Sequence, residues 1–401
     1  MKVFPLFNNM KRDGMGSAAM TLVLALRDNG IDTQPIHAWK EVDFKEYEDA
    51  CRPVFVDNDG YGLDGAHLIK MVEKVNELAT DGDVVIQFGS PNWLACVPYF
   101  NPEIRVVTAI HSINPSTLKI GCAYAERISA FVCISKGVMD RFLKRLPVKY
   151  HDKVHLIPNA IAVASNPKDD WANDGILRVL YLGRIEATSK GCDKLPRILA
   201  ELKKRRVNIK LDLYGYFHNW EEQWWKAVDA SDVRDMVEYK GEISHDEVYG
   251  IMRQYDVFIS PSNFEGFSLS NSEAMSCGLP LVTSNIAGVT DWICDYGKCG
   301  ILVGKTDIKG FADALEMLAL NPAKRREMGV AARERINKMA SEEAHGKAYA
   351  DLFRSVSAKR NYSDVKQRCN LAQYVQPDFL KPWGPARILP VWLKTWLRRF
   401  M

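Results

Sequence analysis

The chain has 401 residues, of which 47% are hydrophobic and 26% are charged. This length indicates two or three domains, and this composition excludes a fibrous or mostly disordered protein. The 53 basic and 50 acidic residues give a net charge of +3, which is too balanced to indicate nucleic-acid binding through charge.

The N-terminal apolar run and the cysteines indicate where the protein resides and whether it binds zinc. The run over residues 18–26 is shorter than the roughly 20 residues that span a bilayer, and no cleavage site follows it. We therefore predict an uncleaved cytoplasmic protein. The nine cysteines are scattered and form no C-x-x-C pair, which predicts reduced thiols and no zinc site.

Short β-rich runs alternate with helical segments along the chain, a pattern typical of parallel α/β sheets. In the first half, strands are predicted over residues 2–7, 33–38, 83–88, 105–110, 130–134 and 153–157, and helices over 17–28, 68–79 and 136–144. In the second half, strands are predicted over 178–182, 210–214, 257–260 and 281–283. Helices are predicted there over 192–205, 246–254, 270–276, 308–320, 322–338 and 341–356.

A segment without periodicity separates the two series. We predict a first Rossmann-like domain over residues 1–160, a linker over 161–176, a second such domain over 177–340, a helix over 341–356 and a tail over 357–401. Ligands of parallel sheets bind beyond the carboxyl ends of the strands. We therefore expect the site where the two domains meet.

Two carboxylates in the second half are the strongest candidates for chemistry. Glu265 lies in a glycine turn after a predicted strand, and Glu273 lies about one turn inside the next helix. The N-terminus of that helix offers free backbone N–H groups to an anion. Two carboxylates beside an anion site suit a ligand with hydroxyls and phosphates, although either residue alone would be an ordinary solvated carboxylate. The backbone groups concerned belong to Gly266, Phe267, Ser268 and Leu269.

The two glutamates stand eight residues apart, and this spacing resembles the E-x7-E signature of family-four retaining glycosyltransferases of the GT-B fold. Residues 157–160, 180–191, 211–215 and 237–241 resemble further motifs of that family in the same order. The resemblance implies an α/β, GT-B architecture of two Rossmann-like domains facing across a cleft. It implies that the first domain binds the acceptor, that the second binds a nucleotide sugar, and that the helix over 341–356 crosses back to the first domain.

The resemblance also implies roles for four side chains. Arg184 and Lys190 would hold the donor pyrophosphate, where a guanidinium and an ammonium stabilise the leaving charge. Glu273 would bind the ribose hydroxyls, and Glu265 would lie beside the hydroxyls of the donor sugar. Without the resemblance, Arg184 and Lys190 could equally be a solvated pair.

Two features of the first domain fit the same family. His111 follows a predicted strand at the position of a histidine near the donor sugar, although His111-Ser112 replaces the usual His-Asp. Gly14 and Gly16 resemble a glycine loop in which the backbone approaches a phosphate or sugar closely. The same glycines also match a dinucleotide fingerprint, but six residues separate them from the preceding strand, which disfavours a dehydrogenase.

Weaker candidates have simpler explanations. Asp57 and Asp59 form a D-x-D metal motif within a segment rich in turn-forming residues. His218 and the tryptophans at 220, 224 and 225 could contact a sugar, but the tryptophan spacing favours one packed helix face.

From these observations we expect a retaining, metal-independent hexosyltransferase without a cofactor. Its donor would be a UDP-, GDP- or ADP-sugar, and its acceptor a hydroxyl of a lipid-linked or cell-envelope glycan, as in polysaccharide or lipopolysaccharide biosynthesis. The predicted catalytic residues are His111, Glu265, Arg184 and Lys190. The alternatives are a sugar-nucleotide epimerase on the same fold and a catalytically inactive protein that binds a sugar nucleotide.

The tail suggests a membrane contact. Residues 381–401 carry five basic residues and no acidic one. On a helical wheel, Trp392, Trp396 and Phe400 share one side, and Lys394 and Arg398 share the other, which is typical of a helix lying in a membrane interface. We therefore expect peripheral association with the inner face of the cytoplasmic membrane through anionic lipid, or else docking of this face on the protein itself.

Overall fold

A computed structural model describes residues 1–11, 14–40, 42–43, 45–57, 65–171 and 174–359. The chain divides into two compact units. The first unit contains Met1–Ile134, Val138–Ile157 and the described residues from His345 onward. The second contains Ser135–Gly137 and Pro158–Ala344.

The first unit is built on a parallel sheet of eight strands in the order β10-β9-β8-β7-β1-β4-β6, with β3 beside β1, while β2 and β5 form a separate pair. The strands are β1 (Lys2–Phe7), β2 (Met10–Lys11), β3 (Asp32–Thr33), β4 (Ile36–Trp39), β5 (Val42–Asp43), β6 (Val54–Asp57), β7 (Val84–Gln87), β8 (Arg105–Ile110), β9 (Ala130–Cys133) and β10 (Val154–Leu156). The helices up to this point are α1 (Gly14–Asp28), α2 (Lys45–Cys51), α3 (Gly65–Leu78), α4 (Pro91–Cys96), α5 (Pro115–Gly121) and α6 (Lys136–Leu143).

The second unit contains a parallel sheet of six strands in the order β13-β12-β11-β14-β15-β16. The strands are β11 (Leu177–Leu182), β12 (Ile209–Tyr214), β13 (Val237–Gly241), β14 (Val257–Ser260), β15 (Leu281–Ser284) and β16 (Gly300–Val303). The remaining helices are α7 (Leu195–Lys204), α8 (Glu221–Ala230), α9 (Val248–Met252), α10 (Leu269–Ser276), α11 (Thr290–Ile293), α12 (Ile308–Leu320), α13 (Pro322–Ala340) and α14 (Glu342–Ala358).

Each sheet is stabilised by burial of its strands. Every residue of β7 and β8 is buried, as expected for a parallel sheet covered on both faces. Leu22 and Leu26 of α1 and Tyr349 and Phe353 of α14 complete that core. The C-terminal helix α14 therefore contributes side chains to the core of the first unit.

The tryptophans of α8 belong to the core of the second unit. Trp224 is fully buried, and Trp220 and Trp225 pack against the same hydrophobic cluster. The three tryptophans therefore form a packed helix face, as their spacing indicates. His218 is exposed, and its ring lies edge-on to that of Tyr216 with 6.5 Å between centroids.

Some predicted elements differ from the structure, and some predictions fall on residues that the structure does not describe. Helix α1 begins at Gly14 rather than at residue 17, so Gly14 and Gly16 lie in its first turn and not in a loop before it. The single strand predicted over residues 33–38 is two strands, β3 and β4. The strands β2, β5, β6, β13 and β16 were not predicted. Asp59 and the tail from residue 360 lie outside the described residues.

The state of the cysteines and the apolar character of the helices also bear on the sequence analysis. All eight cysteines among the described residues are free thiols, as predicted. None of the helices in the described part of the chain combines the length and apolar character needed to cross a bilayer.

The carboxyl ends of β11 and β12 approach each other through two glycines. Gly215 has φ of 125°, and a Cβ atom there would lie 2.0 Å from the carbonyl oxygen of Gly183. That approach fixes the backbone at Gly183, directly before Arg184. Only a residue without a side chain fits this position.

We predict that Gly215→Ala destabilises the protein by more than the roughly 1–3 kcal/mol of backbone strain alone, because the new methyl group meets backbone. Gly241→Ala is the matched control for strain, since Gly241 has φ of 85° and nothing within 4 Å of its Cβ position. Chemical denaturation measures both. Equal destabilisation by the two variants would contradict the close approach.

Candidate functional site

The second unit gathers most of the predicted site residues on two neighbouring loops. One loop follows β11 and the other follows β14, and these strands pair directly. The N–H of Asn263 donates to the carbonyl of Ser189 over 2.8 Å, and the Lys194 ammonium donates to the Asn263 side chain over 2.7 Å. These hydrogen bonds tie the two loops together at the carboxyl edge of the sheet, where ligands of parallel sheets bind.

Lys190 and Glu265 form an ion pair between these loops. The Lys190 Nζ lies 2.8 Å from Oε1 of Glu265, and the hydroxyl of Ser262 donates to the same oxygen over 2.8 Å. The Glu265 side chain is 8% exposed and that of Lys190 is 22% exposed. A carboxylate so far removed from water needs such partners. Glu265 is therefore not the solvated loop residue that it would be in isolation.

Arg184 lies in the same loop as Lys190 and pairs with a carboxylate that sequence reasoning missed. Its guanidinium forms an ion pair with Glu186 over 3.4 Å, and Glu186 accepts a hydrogen bond from the hydroxyl of Ser189. The Arg184 side chain is 43% exposed and that of Glu186 is 13% exposed. Arg184 is thus oriented by Glu186 while part of its guanidinium faces solvent. The only feature of the sequence that could have indicated Glu186 is its position two residues after Arg184.

The N-terminus of α10 has an unusual cap. Ser268 adopts φ of 71° and ψ of 78°, a conformation disfavoured for a residue with a side chain. Its hydroxyl is buried and has no hydrogen-bond partner among the described residues. Strained residues of this kind persist at ligand sites. The free first-turn N–H groups and this hydroxyl form a site that suits an anion.

Glu273 lies on α10, one turn beyond that cap. It is 9% exposed, and its neighbours Asn271 and Ser272 are also buried. The interpretation of Glu273 as a surface carboxylate is therefore wrong. Burial first, and then the negative charge of Glu273, raise the pKa of the Tyr249 hydroxyl.

The other predicted residues belong to the first unit. His111 directly follows β8, and its ring lies 5.7 Å from that of Phe88 between centroids. Its Nε2 is buried and has no partner among the described residues. Burial, and next the charge of His345, lower the His111 pKa to about 4. The imidazole is therefore neutral at pH 7, and it can exchange hydrogen bonds with a ligand without carrying charge.

Within the second unit, the arrangement has a clear chemical capacity. Arg184, Lys190 and the N-terminus of α10 offer positive potential, while Glu265 and Glu273 offer hydrogen-bond acceptors. Oriented donors of this kind stabilise charge that develops on a phosphate leaving group. Gly266, Phe267 and Leu269 complete the turn from β14 into α10, and Phe267 is 2% exposed.

Residues 166–335 match the family described as glycosyl transferases group 1. A glycogen synthase of Mycobacterium tuberculosis is 27% identical over 206 residues, covering 51% of this chain and 48% of that protein. A D-inositol 3-phosphate glycosyltransferase of Pseudarthrobacter chlorophenolicus is 30% identical over 193 residues, covering 45% and 46%. The chain thus spans about half the length of the curated relatives it matches.

Solved structures resemble the whole described fold. Anabaena Alr3699/HepE in complex with UDP gives a TM-score of 0.74 at 16% identity, covering 88% of this chain and 100% of that one. The lipopolysaccharide outer core galactosyltransferase WaaB gives 0.72 at 15% identity, covering 88% and 99%. The predicted GT-B fold, with two α/β domains built on parallel sheets, is confirmed.

We predict that the His111 imidazole remains neutral down to about pH 5, because its pKa lies near 4. The unfolded chain, with an ordinary histidine pKa of 6.5, binds more protons between these values. This histidine therefore makes stability rise with pH from about 4 to 6.5 and adds no pH dependence above that range. NMR titration of the ring measures the pKa, with His111→Asn identifying the resonance. Protonation near pH 6.5 would contradict the burial of the ring.

Proposed function

We propose that this chain transfers a hexose from a nucleoside-diphosphate sugar to a glycan hydroxyl with retention of configuration. The match of residues 166–335 to the glycosyl transferases group 1 family supports this class of reaction. The proposal rests mainly on the Lys190–Glu265 ion pair at 2.8 Å, because Lys190 lies in the same loop as Arg184. A diphosphate would take over Lys190 and Arg184 as its partners. Glu265 would then be available to the hydroxyls of the donor sugar.

In this reaction the side chains bind and stabilise rather than form a covalent intermediate. Arg184, Lys190 and the N-terminus of α10 would hold the pyrophosphate and stabilise its charge as it leaves. Glu273 would accept hydrogen bonds from the ribose, and the neutral His111 would position the sugar. We assign no side-chain nucleophile and no metal ion, since the cations already supply positive charge to the phosphates.

The acceptor that we propose is a lipid-linked or cell-envelope glycan. The lipopolysaccharide galactosyltransferase among the structural neighbours supports this class. The basic, aromatic sequence of residues 381–401 supports presentation of the acceptor at a membrane. Each cationic residue near an anionic surface would add about 1 kcal/mol to membrane binding.

The donor site is tested by two variants of neighbouring carboxylates. Glu273→Ala should weaken binding of the nucleoside diphosphate, because it removes the proposed acceptor for the ribose. Glu265→Gln should lower the turnover number by a larger factor than the affinity for the nucleoside diphosphate. The reason is that Glu265 is proposed to contact the donor sugar and not the nucleotide. Calorimetry with UDP, GDP and ADP measures affinity. Product formation from the matching sugar nucleotides, in the presence of EDTA, measures turnover.

Glu222→Ala, on the exposed face of α8, is the control. Wild-type affinity and turnover in both site variants would disprove the site assignment. Activity that is lost in EDTA and restored by Mg²⁺ or Mn²⁺ would instead implicate a metal. Conversion of the donor without any acceptor would favour the epimerase, and binding without turnover would favour the inactive protein.

The membrane proposal predicts that deletion of residues 386–401 abolishes sedimentation with anionic liposomes. High salt should weaken sedimentation of the full chain, because it screens the basic residues. Neutral liposomes are the control. Equal sedimentation of truncated and full-length protein, or no binding of the full chain, would show that the tail does not hold the protein to a membrane.

A further inference from the structure

The sheet of the second unit has one polar, partly open face. Along β12, residues 209, 211 and 213 are buried in the core, whereas residues 210, 212 and 214 lie on the opposite face. On that face of β13, Glu238 and Lys240 are exposed. Parallel sheets are normally covered on both faces and are apolar on both. The polar alternation of β12 and β13 therefore marks a surface that faces water.

A pocket of about 630 Å³ lies on this face, and we call it the outer pocket. Its volume is within the range of roughly 300–1,000 Å³ that is typical of small-molecule sites. Several lining residues, namely 176, 235, 254 and 255, lie one to three residues before β11, β13 and β14. The outer pocket thus runs along the length of β12 and β13 and reaches the amino ends of the strands. Arg184, Lys190 and Glu265, by contrast, follow the carboxyl ends of β11 and β14 and do not line it. It is a separate site from the donor loops.

The charges of the outer pocket balance. Its charged lining residues are Arg178, Lys210, Lys240, Asp212, Asp235 and Glu238. Most are already paired: Lys240 lies 2.7 Å from Glu238 and 3.7 Å from Asp212, and Lys210 donates to the backbone carbonyl of Asp235. An anionic or cationic ligand would have to displace these pairs. A neutral ligand with many hydroxyls can donate to the carboxylates and accept from the ammonium groups while the pairs remain.

Two tyrosines give the outer pocket a rigid wall. The hydroxyl of Tyr255, a residue only 7% exposed, donates to Asp212 over 2.7 Å. It also lies 3.4 Å from the hydroxyl of Tyr214, and the two rings meet edge to face. These contacts hold the Asp212 carboxylate in place without using all of its acceptor capacity. Fixed polar groups around an aromatic wall give orientation to a bound small molecule.

We propose that the outer pocket binds a neutral oligosaccharide. The inference does not depend on the proposed transferase activity, because the pocket shares none of the residues that we assign to the donor. A glycan held there would be retained on the second unit while the donor site turns over.

The test uses the full chain and saturation-transfer NMR. The neutral probes are maltoheptaose, cellotetraose and mannotriose, and the anionic probe is a sulfated heparin tetrasaccharide. Glu238→Ala/Lys240→Ala removes an exposed ion pair from the outer pocket without changing the net charge. Glu222→Ala/Lys226→Ala removes an equivalent exposed pair, 2.6 Å apart, from α8. Thermal unfolding and UDP binding show whether each variant is folded.

We expect at least one neutral probe to bind, and the outer-pocket variant to bind it about tenfold more weakly, while the α8 variant matches wild type. Saturating UDP should not displace the probe. Failure of all neutral probes, preference for the sulfated probe, or equal binding by both double variants would overturn the proposal. Oligosaccharide binding without sugar transfer would disprove the proposed function alone.

Discussion

The two loops of the candidate site depend on the contact between Lys190 and Glu265. This pair joins the loop after β11 to the loop after β14, with 2.8 Å between the charged atoms. The hydroxyl of Ser262 and the backbone hydrogen bond from Asn263 to Ser189 strengthen the same junction. A buried carboxylate that lost its cation would pay a desolvation cost of several kcal/mol. The two loops therefore hold each other in place through this pair.

Both cations that we predict to bind phosphate, Arg184 and Lys190, are already paired with a carboxylate. Arg184 is held by Glu186 as Lys190 is held by Glu265. Each pair orients its cation before a ligand arrives, which lowers the cost of ordering it. The strained Ser268 and the close contact between Gly183 and Gly215 also lower this ordering cost, because they fix the backbone around the site.

Much of the fold was predictable from the sequence because most residues of the buried strands are apolar. The predicted strands over residues 2–7, 105–110 and 257–260 have those same bounds in the structure. By contrast, β13 alternates charged and apolar residues because one of its faces is open. Gly300 begins β16, and a glycine weakens the strand signal of that segment.

The candidate site was only partly predictable for a different reason. Motif spacing identifies Arg184, Lys190, Glu265 and Glu273, but it does not reveal which charges pair. The pairing of Lys190 with Glu265 arises from the meeting of loops that are 75 residues apart in the chain. The contacts of Glu186 and Ser262 lie within their own loops and depend on how each loop folds. The burial of Glu273 depends likewise on tertiary packing around α10. Pairing and burial decide how these groups act, and they become visible only in the fold.

The central claim is that a donor diphosphate replaces Glu265 as the partner of Lys190. A double-mutant cycle with Lys190→Met and Glu265→Gln, measured by calorimetry with the nucleoside diphosphate that binds best, tests it directly. Lys190→Met should weaken binding by roughly 10- to 100-fold, the loss of one charge-assisted hydrogen bond to phosphate. Glu265→Gln should leave affinity unchanged or raise it, because the competing carboxylate is gone, and the double variant should match Lys190→Met. If Glu265→Gln weakened binding as much as Lys190→Met, the pair would be a fixed structural unit, and the exchange of partners would be contradicted.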